Sequence, residues 1–200
     1  MKHSVVLATL LLAACGNSGA PVPTPTTKTP AVAERPKAAP ATNLPGSTLV
    51  NPDFEQPVAA DGGIPGWNQL QHAGPRSYAM SVDSEGAYAG RGSFHMVRTH
   101  ANFYGSLTQM LDAKDYAGKT VELSAMLKAH GVGPGGWKLF INAQLPDTLK
   151  YSDGVTGDAD WKRDAVRLEV PARATQLIVG VTLLDGGEGW MDDVALKVVN

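Results

Sequence analysis

The chain lacks the features on which several common kinds of functional site depend. It has one cysteine in 200 residues, so no disulfide can form within the chain. Its formal net charge is -2, from 17 basic and 19 acidic residues, which provides no positive field for nucleic acid. It also lacks the Gly-x-Ser-x-Gly, His-Glu-x-x-His and phosphate-loop patterns of common enzymes. We therefore expect neither an enzyme nor a nucleic-acid-binding protein.

The first apolar run, residues 5–14, is typical of an export signal. As a helix it would span about 15 Å, roughly half of a hydrocarbon core, which is the size of a signal-peptide core. The run ends in Leu12-Ala13-Ala14-Cys15, which resembles the lipobox of bacterial lipoproteins. The resemblance implies a signal peptide at 1–14 and a mature chain anchored through acyl chains such as palmitate on Cys15. An ordinary secretory signal with a chance cysteine is the alternative.

The resemblance also implies a destination in the cell envelope. Gly16 follows the cysteine, in place of the aspartate that marks retention in the inner membrane of enterobacteria. We therefore expect the outer membrane rather than the inner one.

Residues 15–45 differ in composition from the rest of the chain. Seven of the 14 prolines lie between Pro21 and Pro45, and no aromatic residue precedes Phe54. Such a stretch cannot bury enough apolar surface to offset the entropy cost of ordering it. We predict a disordered tether that joins the lipid anchor to one domain at 46–200.

In that domain, apolar and polar residues alternate with period two, the pattern of half-buried strands. The clearest runs are near 121–128, 165–170, 177–183 and 190–199. Further strands are expected near 47–51, 67–71, 76–82, 93–99, 103–110 and 136–145. Ten short strands without a helical period predict an all-β domain, a two-sheet antiparallel β-sandwich or jelly roll. In the last run, Asp192 shares a face with Trp190, Val194 and Leu196, so its carboxylate should point inward.

Two segments resemble the ends of galactose-binding-like jelly rolls, which include many carbohydrate-binding modules. The first is Leu49-Val50-Asn51-Pro52-Asp53-Phe54-Glu55 with Pro65-Gly66-Trp67, and the second is Gly187-Glu188-Gly189-Trp190-Met191-Asp192-Asp193-Val194-Ala195-Leu196. Between them, 103–109 and 116–119 resemble non-catalytic domains attached to some bacterial regulators and proteases. The family implies a sandwich with a binding role but names no ligand.

The same resemblance points to a structural calcium between the first and last strands. The matching ligands would be Glu55 and either Asp192 or Asp193, with backbone carbonyls from the turn at 90–93. The alternative is that Glu55 and Asp192 accept hydrogen bonds from nearby backbone amides.

Sugar binding uses aromatic platforms flanked by hydrogen-bonding side chains. The candidates for such a surface are Trp137, Tyr104, Tyr151, Arg76, Arg98 and Asn142. Trp137 follows a glycine-rich loop and is the most exposed candidate on this reasoning, with core packing as the alternative. Trp67, Trp161 and Trp190 match family positions that pack the core or close the ends of the sheets.

The leading hypothesis is a membrane-anchored, non-catalytic module that binds carbohydrate or another envelope ligand. The alternative is a structural lipoprotein that docks on an envelope protein. An enzyme acting on glycans would need two carboxylates facing each other across a cleft, and no such pair stands out.

Overall fold

Nine β-strands and one 3-10 turn form the secondary structure of the described residues, 49–101 and 104–199, in the computed structural model. The strands are Asn68–Gln71 (β1), Tyr78–Asp83 (β2), Ser93–Arg98 (β3), Gly105–Asp112 (β4), Thr120–Asn142 (β5), Lys150–Tyr151 (β6), Val155–Glu169 (β7), Gln176–Leu183 (β8) and Glu188–Val199 (β9). The turn Ala113–Asp115 follows β4. Within these residues there is no α-helix, and hence none that could cross a membrane. The segments predicted at 1–14 and 15–45, with Cys15, lie outside the described residues.

Strand β5 is 23 residues long and belongs to both layers of a sandwich. Its first part, up to His130, pairs with β9 and most of β7, whereas its last part, from Trp137, pairs with β8 and β6. The register of β5 with β7 shifts three times between Leu127 and Trp137, and Gly131 and Gly136 lie in this stretch with φ of 60° and 85°. One continuous strand therefore replaces the two that we predicted near 121–128 and 136–145.

The pairing defines two antiparallel layers that share β5. The first layer has the order β2-β3-β9-β5-β7, and the second layer has the order β1-β4-β8-β5-β6. This confirms the predicted two-sheet antiparallel sandwich. The core lies between the layers, and the alternation of apolar residues predicted for β5 and β8 is confirmed by burial. The fully buried side chains include Phe94, Met96, Leu123 and Met191 from the first layer and Leu107, Leu139 and Val181 from the second.

Trp137 lies in this core, at the point where β5 passes from one layer to the other. Its side chain is 0% exposed and its ring stacks on Phe94 at a centroid distance of 6.1 Å. Its Nε1 donates to the Trp190 carbonyl at 3.0 Å. A Cβ at Gly189 would come within 2.5 Å of the indole, so glycine at that position makes room for it. The prediction that Trp137 is an exposed sugar platform is therefore wrong.

A β-bulge in β9 reverses the face that we assigned to Trp190 and Asp192. Ser124 pairs with Ala195 and Met126 pairs with Asp192. Three steps along β9 therefore correspond to two steps along β5, so β9 holds one extra residue. Asp193 adopts φ of 50° there, a conformation that aspartate tolerates better than most residues. Even-numbered side chains before the bulge therefore lie on one face of the sheet, and even-numbered side chains after it lie on the other. Asp192 consequently lies on the face opposite Val194, contrary to our prediction.

The strand predicted near 47–51 is absent from its described part, residues 49–51. A side chain replaces the missing strand partner. The buried carboxamide of Gln109 accepts from the Val50 N–H at 3.0 Å and donates to the Val50 carbonyl at 2.7 Å. This segment is therefore attached to β4 through one glutamine rather than through a ladder of backbone bonds.

Candidate functional site

Glu55 lies against the loop that precedes β3, where the resemblance placed a calcium ligand. One carboxylate oxygen accepts from the backbone N–H groups of Arg91 and Gly92, the latter at 3.0 Å. The other accepts from the Arg91 guanidinium at 3.1 Å. Partial burial works against ionisation, but these hydrogen bonds and the charge of Arg91 outweigh it and lower the pKa of Glu55.

Asp192 contacts the same loop from the other end of the chain. One oxygen accepts from the backbone N–H groups of Tyr88 and Ala89, at 3.1 and 3.0 Å, and the other from the N–H of Asp193 at 2.7 Å. The side chain is almost fully buried. Burial raises the pKa of Asp192 to about 7 against the lowering effect of these N–H groups, and the charge of Asp193 adds to the rise.

These contacts do not fit a calcium ion. Calcium takes six to eight oxygen ligands. The neighbours of both carboxylates are instead N–H groups, whose hydrogens carry partial positive charge and do not bind a cation. The third candidate, Asp193, forms an ion pair with Arg163. In the described part of the chain, no group of three or more acidic, His or Cys side chains is placed to hold a metal. Glu55 and Asp192 act here as acceptors for backbone amides, the alternative that the sequence left open.

The remaining sugar-binding candidates fall into separate places. Asn142 and Tyr151 lie on neighbouring strands at the outer face of the second layer. Tyr104 is 40% exposed and meets the ring of His72 edge-on. Arg76 lies just before β2, in a cleft that β1 also lines, and the Arg98 guanidinium donates to the carbonyl of His100 at 3.0 Å. The structure thus places Asn142 and Tyr151 on one face, whereas the contacts of Tyr104 and Arg98 are with His72 and His100.

The register of the second layer aligns its outward side chains in three rows across the strands. Residues paired directly across antiparallel strands share one face. The middle row is Asn68, Thr108, Gly180, Phe140 and Tyr151. The flanking rows are Leu70, Ser106, Thr182 and Lys138 on one side and Met110, Ile178 and Asn142 on the other. The middle row crosses five strands, which spans about 19 Å at 4.8 Å per strand step.

These rows form a trough, with small side chains at its floor and large ones at its rim. Ser106, Thr108 and Thr182 are only 4–6% exposed although they face outward, whereas Tyr151, Leu70 and Met110 are 48–57% exposed. Gly180 keeps the centre of the floor low. A Cβ there would lie 2.2 Å from the Leu107 carbonyl oxygen, so the position accepts only glycine. We call this surface, made of the three rows, the trough.

Two aromatic rings stand side by side at the β6 end of the trough. Phe140 and Tyr151 are 6.0 Å apart with an interplanar angle of 52°. The polar side chains of the middle row, Thr108 and Asn68, follow beyond Gly180. An elongated ligand would therefore meet aromatic surface at one end and hydroxyl and amide groups at the other.

No family model matches the chain. One curated relative is 28% identical over 144 residues, which cover 68% of this chain and 48% of the relative. It is an uncharacterized HTH-type transcriptional regulator, YbfP, of Bacillus subtilis (strain 168). The chain thus spans about half the length of that relative. A regulator as relative agrees with the resemblance of 103–109 and 116–119 to domains attached to regulators.

Solved structures give a clearer match. A carbohydrate-binding module of the CBM4 type has a TM-score of 0.53 at 18% identity, covering 76% of this chain and 100% of that chain. TmCBM61, solved with β-1,4-galactotriose, has 0.50 at 16% identity, covering 76% and 97%. The enzymatically active domain of the bacteriophage CBA120 tailspike protein 4 has 0.57 at 13% identity, covering 76% of this chain and 21% of that one. The chain has the jelly-roll fold of carbohydrate-binding modules. The family resemblance of the two chain ends is confirmed at the level of fold.

Trp190 is an aromatic residue of this jelly roll that the sequence assigned to core packing or to closing a sheet end. The bulge at Asp193 places it on the outer face of the first layer, stacked on His95 at 4.4 Å and 8°. Lys128, from the strand on its other side, lies 4.9 Å from the indole centroid, and the indole N–H donates to Asp83 at 2.9 Å. Neighbours therefore flank both faces of the ring, which is not free to stack on a sugar.

Sequence reasoning missed most of the trough. Asn68, Thr108 and Phe140 were not among the candidates, and Gly180 had no assigned role. A local signal did exist in β5, where Lys138, Phe140 and Asn142 alternate with buried Leu139 and Ile141. That signal indicates an outward face but not which residues of β4, β8 and β1 lie beside it.

Proposed function

We propose that this jelly roll is a non-catalytic module that binds a glycan chain lying across the trough. The observation that carries the proposal is the middle row, in which five neighbouring strands align two aromatic rings, a glycine, a hydroxyl and an amide. Sugar rings have an apolar C–H face that packs on aromatic rings and hydroxyls that bond to Thr and Asn side chains. One structural neighbour, TmCBM61, is solved with β-1,4-galactotriose, which supports a glycan as the ligand class.

Binding rather than hydrolysis fits the residues of the trough. The three rows contain no Asp or Glu, and Lys138 is their only charged side chain. Glycoside hydrolysis uses two carboxylates about 5–9.5 Å apart on either side of the scissile bond. The trough has a concave surface and hydrogen-bonding side chains, but its three rows lack this pair of carboxylates.

We expect Tyr151→Ala to weaken glycan binding roughly tenfold, because it removes the most exposed aromatic ring of the trough. The measurement is isothermal titration calorimetry of the full-length protein with β-1,4-galactan and β-1,4-xylan oligosaccharides, and a pulldown with peptidoglycan. Tyr151→Phe should retain most of the affinity, since it keeps the ring.

Tyr88→Ala is the matched control, because Tyr88 is a half-buried tyrosine that packs against Trp161 on β7, outside the trough. Its backbone N–H, which bonds to Asp192, remains in the variant. Equal losses in Tyr88→Ala and Tyr151→Ala would argue against the trough. Absence of binding to every glycan tested would count against the proposed function as a whole.

The second candidate function is docking on an envelope protein. Leu70 and Met110 are 50% and 57% exposed on the two opposite flanking rows of the trough, where each offers an apolar contact to a partner protein. Docking on a protein is favoured if no glycan binds and if Met110→Ser, rather than Tyr151→Ala, abolishes binding to a defined envelope partner.

We further propose that the domain at 46–200 is carried at the cell envelope by a lipid on Cys15 and by the tether at 15–45. Support comes from the sequence, in which the single cysteine follows an apolar run and two alanines. The outer membrane is the proposed location.

Metabolic labelling with a palmitate analogue should mark the wild-type protein and leave Cys15→Ala unmarked. The variant should then appear in the soluble fraction or keep its signal peptide. A wild-type protein recovered with an unmodified thiol would contradict the anchor, while leaving the trough proposal unaffected.

A further inference from the structure

A second concavity lies on the side of the sandwich where the two layers end in the edge strands β1 and β2. Its volume is about 440 Å³, within the range of small-molecule sites. Strand β1 is the edge of the second layer and β2 the edge of the first, so the cleft opens between the layers. Leu70 lines both this cleft and the rim of the trough, which places the two surfaces side by side.

The cleft presents hydrogen-bond donors from two side chains. Gln71 accepts from the backbone N–H groups of Ser77 and Tyr78, at 3.0 and 3.3 Å, through its carbonyl oxygen. Since both partners are donors, the orientation of this carboxamide is determined, and its Nε2 group is left to donate. Arg76 is exposed, and no other described residue bonds to or pairs with its guanidinium.

The other side chains supply acceptors and apolar surface. Gln69 donates through Nε2 to the Gly62 carbonyl at 2.9 Å, which leaves its Oε1 to accept. Thr99 adds a hydroxyl, and Leu70 and Met80 form apolar walls. None of the residues that line the cleft is acidic.

We propose that this cleft is a second binding site, for a sugar unit that carries a carboxylate. The carboxylate would bond to the Arg76 guanidinium and the Gln71 amide, two donors that both line the cleft and of which one carries a positive charge. The sugar hydroxyls would bond to Gln69 and Thr99, and the C–H face would lie on Leu70 and Met80. No lining side chain is acidic, so none of them repels the anion. The site does not depend on glycan binding in the trough.

The test is an NMR titration of the full-length protein with D-galacturonate and, separately, with its neutral methyl ester. Galacturonate should shift the side-chain N–H signals of Gln71 and Arg76, and the ester should bind at least fivefold more weakly because it lacks the charge. Arg76→Ala should weaken galacturonate binding at least tenfold. Arg173→Ala is the matched control, since Arg173 is an exposed arginine on the β7–β8 connection.

Three results would overturn this site: no binding of galacturonate, equal binding of the ester, or an equal effect of Arg173→Ala. Tyr151→Ala separates it from the trough. Loss of galacturonate binding in Tyr151→Ala, with Arg76→Ala unaffected, would place the acid in the trough and refute the second site. If Arg76→Ala weakens galacturonate binding while no neutral glycan binds at all, the result supports the binding site in the cleft and contradicts the proposal for the trough.

Discussion

Trp137→Ala should lower the free energy of unfolding by about 3–5 kcal/mol, the usual cost of truncating a fully buried tryptophan. The substitution removes the ring that stacks on Phe94 and leaves a cavity against Gly189. It also removes the donor to the Trp190 carbonyl, which is then left without that bond. Urea titration followed by circular dichroism measures the change.

Two further variants make the result interpretable. Trp137→Phe keeps a ring in the core and loses the indole N–H, so we expect about 1–2 kcal/mol. Trp161→Ala removes a half-buried tryptophan that contacts Tyr88 and should cost about 1 kcal/mol. Similar losses in Trp137→Ala and Trp161→Ala would contradict the core position of Trp137, and unchanged sugar binding in Trp137→Phe would agree with it.

The second large effect is a pH dependence of stability that comes from Asp192. Burial raises the pKa of this carboxyl to about 7 in the folded protein, against about 4 in an unfolded chain. Between these values the folded state holds a proton that the unfolded state has released, so stability falls as pH rises. A difference of about three pH units corresponds to roughly 4 kcal/mol.

Asp192→Asn should abolish this contribution, because asparagine imitates the neutral acid and still accepts from Tyr88 or Ala89 through its carbonyl oxygen. The measurement is the free energy of unfolding of both proteins at intervals from pH 4 to pH 8. The stability of the wild type relative to the variant should fall as pH rises through this window. Parallel profiles would show that the folded carboxylate is ionised throughout and that its N–H donors outweigh burial.

Asp83 provides a control, because its contribution to stability should change with pH in the opposite direction. Partial burial raises the pKa of its carboxyl, but hydrogen bonds from the Trp190 indole and from the backbone of Glu85 and Gly86 outweigh this and lower it. Its contribution to stability is therefore present above the unfolded pKa and lost as pH falls. Asp83→Asn should lose stability relative to the wild type at neutral pH rather than gain it.

Two tryptophans show where sequence reasoning succeeds and where it fails. The alternation in β5 and β8 predicted correctly which side chains enter the core, because alternation is a property of the strand itself. The position after a glycine-rich loop suggested that Trp137 is exposed, yet that loop lies within β5, whose passage between the layers buries the ring. For Trp190, the bulge at Asp193 moved the ring to the outer face.

The six predicted binding residues had the same mixed outcome. Asn142 and Tyr151 share the trough, because β6 and β8 both pair with the last part of β5. Arg76 lines the cleft between β1 and β2 instead. Their chemistry was visible in the sequence, but their grouping depends on which strands are neighbours.

The amino-acid sequence alone determined the all-β class, the change of composition near residue 45 and the burial of alternate residues in β5 and β8. These three features can be predicted from the sequence, because each depends on residues only a few positions apart in the chain. Tertiary structure alone decided that Asn68, Thr108, Gly180, Phe140 and Tyr151 form one row. Register between strands that are distant in sequence is set by the packing of the whole sandwich, and a shift of one residue would turn these side chains into the core.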